Sequence, residues 1–106
     1  MRYQKIHNRT KGSIETFGED ASRSSDVADL AVASMTASIV SGNSASIDAQ
    51  TYTSATESLA FQVNFSQVGQ TIIKVETTYS GSNDKTISTY LFRTMADSVA
   101  SALGYT

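Results

Sequence analysis

Residues 59 to 79 read LAFQVNFSQVGQTIIKVETTY, two runs of alternating apolar and polar side chains separated by a short glycine-containing step. Successive side chains of a strand point to opposite faces, so apolar residues at a period of two bury as half-covered β-strands. Leu59, Phe61, Val63 and Phe65 share one face, with Gln62 and Asn64 opposite. After the step at Gly69, Ile73, Val75 and Tyr79 share a face through Thr77, and Lys74, Glu76 and Thr78 share the other with Ile72. The polar turn SGSND at 80 to 84 then leads into KTISTYLFRT, which reads as the antiparallel partner of the preceding strand. Leu91 is taken as that partner's contribution, giving a predicted core of Leu59, Phe61, Val63, Phe65, Ile73, Val75, Tyr79 and Leu91. Because a one-residue slip would turn this whole set to solvent, the pattern restricts the chain to a β fold.

The rest of the composition agrees with that restriction. Serine and threonine supply 30 of the 106 residues and charged residues only 17%, which suits the exposed faces of strands better than those of helices. The hydrophobic share of 40% over a chain of this length is enough for one core without staples. With no cysteine, neither disulfides nor thiolate metal sites are available. No stretch approaches the roughly 20 apolar residues of a membrane span, and the opening MRYQKIHNRTKG lacks the apolar region of a signal peptide. The expectation is a chain made in the cytoplasm, neither exported by a signal nor inserted in a membrane.

Residues 1–26 show neither a sustained period of two nor a helical stripe, and read as an extended arm and linker that is either frayed or ordered by a partner. Arg2, Lys5, Arg9 and Lys11 precede Gly12 without an acid among them, leaving four basic residues against ten acids, net −6, in residues 12 to 106. Residues 27–41 fit a helix capped by Ser25 or Asp26, or a strand with Ala31, Ala33, Met35, Ala37 and Ile39 on one side; the β character of the remainder favours the strand. A short strand is expected around Ser46 to Gln50. Residues 95–106 make a short helix, with Met95, Val99 and Leu103 at helical spacing, or a trailing tail. The domain reading is an arm at 1–26, a sandwich at 27–94 and a tail at 95–106. Short strands at this spacing predict an all-β, immunoglobulin-like antiparallel sandwich of about six to seven strands.

The run from Ser34 to Thr94 resembles the small immunoglobulin-like modules that tailed bacteriophages encode among their head, neck and tail genes. The resemblance rests on the step Gly69–Gln70–Thr71 into a long strand and on the closing hairpin TTYSGSNDKTISTYLFRT. It implies a non-enzymatic structural protein of a virion, in capsid, neck or tail, made in the host cytoplasm and assembled in multiple copies. Its partners would be copies of itself and other virion proteins. The basic arm is a departure from those modules, and the charge split by itself gives Arg2, Lys5, Arg9 and Lys11 a use in holding the acidic face of a neighbour. The rival is an immunoglobulin-like binding or adhesin module using loop residues such as Asn43, Asn83 and Asp84.

The residues themselves argue against catalysis. His7 is the only histidine, so a catalytic triad would have to recruit it from the arm, and a histidine pair for a metal is excluded. Glu19, Asp20, Asp26 and Asp29 lack the ligand spacing of a calcium loop and read as a solvated acidic surface. Gly81 stands in a hairpin with no following Lys-Ser, unlike a phosphate cradle. Phe61, Phe65, Tyr79, Tyr90 and Phe92 read as core in preference to a base-stacking platform, since few cations lie between them. No cofactor, metal or small-molecule substrate is expected, and DNA contact by the arm is the lesser use of its charge.

Overall fold

The computed structural model describes residues 6–21 and 27–96. Seven strands form two sheets: β1 (Ile6–Thr10), β2 (Ile14–Asp20), β3 (Val32–Ser41), β4 (Ala45–Thr53), β5 (Ser58–Phe65), β6 (Gly69–Tyr79) and β7 (Lys85–Met95). One sheet runs β1-β7-β6-β3 and the other β2-β5-β4. The result is an all-β sandwich, as the alternation predicts, with the strand alternative holding from Val32 onward. Residues 27–31 ahead of it are a turn with Val27 buried.

Core placement follows the sequence pattern closely on the two best-written strands. Leu59, Phe61, Val63 and Phe65 of β5 are all buried, as are Ile73, Val75 and Tyr79 of β6, with Thr71 before them and Thr77 among them. Met35, Ala37, Ala45 and Phe92 complete the cluster from β3, β4 and β7. Leu91 is a correction. Tyr90, Phe92 and Thr94 take the inner face of β7, and Leu91 lies half-buried on the outer face, in register with Ile6 and Ile72. The sequence is ambiguous there because "YLF" puts bulk on both faces, and only the pairing with β6 decides which side meets the other sheet.

The arm is the second correction. Residues 6–20, expected to lie outside the sandwich, supply β1 and β2, which pair with β7 and β5. Their period of two is hidden because the inward residues are mostly polar: His7 and Arg9 on β1, Glu15 and Glu19 around Phe17 on β2. The β1–β7 pairing is parallel, so the sandwich is not wholly antiparallel. Arg2, Lys5 and the helix-or-tail segment beyond Ala96 lie outside the described residues.

The turn at the end of β3 explains the glycine step. A Cβ on Gly42, at φ +92°, would stand 2.2 Å from the Gln70 carbonyl oxygen, so only glycine lets the turn lie against β6. Thr71 Oγ1, fully buried, accepts from the N–H groups of Ser44 (3.0 Å) and Ala45 (3.1 Å) and shares a hydrogen bond with Ser44 Oγ (2.7 Å). Ser44 in turn accepts from Ser66 and Gln67 N–H. The Gly69–Gln70–Thr71 step thus ties two turns together at one end of the sandwich.

Candidate functional site at the seams between the sheets

The side chains with most chemical capability gather along the two long openings of the sandwich, where the edge strands of one sheet face those of the other. At the first opening, β2 directs Glu15, Phe17 and Glu19 inward, in register with Val63, Phe61 and Leu59. Facing them, Arg9 of β1 donates from Nε to Glu15 Oε1 at 2.5 Å and from Nη2 to Glu15 Oε2 at 3.2 Å. Its guanidinium also lies 5.6 Å from the centre of the Phe17 ring. This two-point ion pair over an aromatic face uses the guanidinium geometry that lysine lacks.

Deeper in the same seam, the Tyr90 hydroxyl donates to Glu19 Oε1. Burial, then this hydrogen bond and the negative charge of Glu19, push the Tyr90 phenol well above its ordinary pKa of 10.0. It therefore stays a donor. His7 packs its ring against Phe92, Tyr90 and Phe17, with centroids 5.3, 5.7 and 6.0 Å away. Those rings meet Phe61 and Phe65 in one aromatic cluster. The only histidine is thus built into the wall of the core, with aromatic rings around it.

At the opposite opening, Gln50 of β4 reaches across to β3. Its Oε1 accepts from Ala37 N–H at 2.9 Å and its Nε2 donates to the Ala37 carbonyl at 3.0 Å. Glu57, in the turn between β4 and β5, accepts from Val32 N–H through Oε2 at 3.1 Å, and its own carbonyl accepts from Ala21 N–H. Glu57 is the one described non-glycine residue at positive φ, +49°. On β1, Arg9 Nη1 donates to the Asn8 carbonyl and Ser13 Oγ to that of Thr10. These side chains occupy backbone groups that an edge strand otherwise offers to another chain.

The sequence candidates disperse accordingly. Of the four arm cations, Arg9 is held by its own chain and Lys11 is exposed in the β1–β2 turn. Glu19 turns inward while Asp20 and Asp29 are exposed, and among the described residues no three acidic, histidine or cysteine side chains can hold a metal. Phe61, Phe65 and Phe92 are fully buried, as the core reading of the aromatic residues requires. Gln50 and Glu57 escape sequence reasoning, because a polar residue on an edge strand or in a turn carries no signal until its partner on the other sheet is known. Comparison of the chain with models of known protein families, with curated proteins and with solved structures finds no match.

Proposed function

We propose that the chain is a non-enzymatic structural protein assembled in multiple copies, of the kind that bacteriophage virions use in capsid, neck or tail. The observation that carries this reading is the use made of its polar side chains. Arg9, Glu15, Glu19, Tyr90, Gln50 and Glu57 are all engaged in joining one sheet or turn to another. Committing these six side chains to closing the molecule's own openings suits a scaffold. The strand orders β2-β5-β4 and β7-β6-β3 are also those of strands B-E-D and G-F-C in an immunoglobulin-like layout, which agrees with the resemblance in residues 34–94.

The loop residues named for the adhesin alternative stand at opposite ends of the sandwich and do not form one patch. Asn43 stands in the turn after β3, next to Gly42 at the Gly69 end, while Asn83 and Asp84 stand in the β6–β7 hairpin. The 11 residues of β6 separate them by about 35 Å. Sedimentation of the purified chain over a range of concentrations tests the multi-copy reading, and mass spectrometry of purified phage particles tests the virion reading. Self-association and recovery in particles are expected. A monomer at every concentration overturns the proposal.

A further inference from the structure

The two ends of the sandwich differ in chemistry. At the Gly69 end lie the turns 11–13, 42–44 and 66–68 and the finish of β7, tied together by backbone hydrogen bonds from Lys11 to Met95, Gly12 to Phe65 and Ser66 to Ser44. Lys11 and Arg93 are exposed here, and neither has an ion-pair partner among the described residues. Val68, Val40 and Ile14, 56 to 61% exposed, lie around the same end. An open hollow of about 210 Å³ sets Val68 and Met95 beside Arg93.

At the Asp84 end lie the turns 27–31 and 54–57 and the β6–β7 hairpin, linked by Val32 to Glu57, Ala21 to Glu57 and Ser80 to Ala31. Asp20, Asp29 and Asp84 are exposed there. The one described cation nearby, Lys85, is already 3.5 Å from Glu76. Arg2, Lys5, Arg23, Asp26 and Asp97 lie outside the described residues.

We infer that copies of this chain associate end to end, the basic and aliphatic Gly69 end of one seating on the acidic Asp84 end of the next. The inference rests on the multi-copy reading above. A second copy is the occupant that the molecule itself specifies, because the exposed charges without an ion-pair partner are cations (Lys11, Arg93) at one end and acids (Asp20, Asp29, Asp84) at the other among the described residues, and exposed aliphatic residues beside the cations supply apolar area to bury. The long edges of the four-stranded sheet are partly closed by side chains of the chain itself, at Ala37 and Val32 on β3 and at Asn8 and Thr10 on β1. That leaves the ends better suited than these edges to contact a neighbour. Such a contact is heterologous, so repetition builds a ring or a filament.

The test is sedimentation of the full chain and of two double variants, Lys11→Glu with Arg93→Glu, and Asp29→Lys with Asp84→Lys. The first has two acidic ends and the second two basic ends. Each alone is expected to lose association about tenfold or more, and a 1:1 mixture to recover it, because the two then alternate. Circular dichroism confirms folding, and single variants replace any double variant that misfolds. Loss in only one variant, or a mixture that stays dissociated, overturns the end-to-end contact. If the unaltered chain associates and both variants do so equally, this contact fails while the multi-copy reading stands; if the unaltered chain is monomeric throughout, both fail.

Discussion

Gln50 satisfies both hydrogen-bonding groups of a single residue on the facing sheet, accepting from Ala37 N–H and donating to the Ala37 carbonyl. The carboxamide imitates the strand that would otherwise pair there. An edge strand with free N–H and C=O groups is a template for another chain, and native sheets block such edges. Gln50→Ala is expected to cost about 1–2 kcal/mol in denaturant unfolding and to increase self-association in a way that salt does not reverse. Gln50→Glu keeps the acceptor but sets an anion against the Ala37 carbonyl, and is expected to cost at least as much. Unchanged stability in both variants would show that the cross-sheet bonds contribute nothing.

The seam at Tyr90 carries a pH dependence. Its phenol has a higher pKa folded than unfolded, so the folded state holds that proton more tightly and stability rises with each proton retained. The contribution is complete below the unfolded value of 10.0 and is lost as pH rises from there towards the folded value. Wild-type stability is therefore expected to fall above about pH 10 more steeply than that of Tyr90→Phe, measured by urea unfolding at several pH values. Parallel curves would detach alkaline unfolding from Tyr90.

Two buried threonines on the inner face of the larger sheet should respond in opposite directions to the same substitution. Thr94 Oγ1 is buried with no hydrogen-bond partner, whereas Thr71 Oγ1 receives two backbone N–H groups. Thr94→Val removes an unsatisfied hydroxyl at nearly constant shape and is expected to stabilise by about 1 kcal/mol. Thr71→Val strands the Ser44 and Ala45 donors and is expected to destabilise by roughly 2 kcal/mol or more. Thermal unfolding of the pair decides it, and a loss of stability in both would refute the accounting for Thr94.

Neighbouring positions on β7 test the assignment of faces. Phe92 is fully buried and Leu91 lies on the outer face. Phe92→Ala is expected to cost about 3–5 kcal/mol, and Leu91→Ser markedly less because its side chain is only half covered. Comparable losses would mean that both faces of β7 are equally packed.

Arg9 and Glu15 form a half-buried pair, and their contribution to stability should be modest. Arg9→Met is expected to cost about 0.5–1 kcal/mol, less at high salt, with part of the loss coming from the stacked Phe17 ring. Chemical denaturation at 0.1 M and 1 M salt separates the charge component, since the Debye length shortens from ~10 Å to ~3 Å. A loss that is the same at both salt concentrations would assign the contribution to packing alone.

Sequence by itself determined the class of fold and most of its core. On β5 and β6 the inward residues are the apolar ones, so the burial of Phe61, Val63, Ile73 and Val75 could be read directly from a period of two. The glycine step and the closing hairpin were legible for the same local reason, since backbone conformation at a turn depends on the residues in it. Tertiary structure alone decided the rest. His7, Arg9, Glu15 and Glu19 point inward on β1 and β2, and a polar residue facing a core is recognisable only once its partner stands opposite; Arg9 needs Glu15 across the gap and Glu19 needs Tyr90, 71 residues away in the chain. The choice between Leu91 and Phe92 was likewise settled by pairing with β6, because an apolar run on both faces of a strand carries no phase of its own.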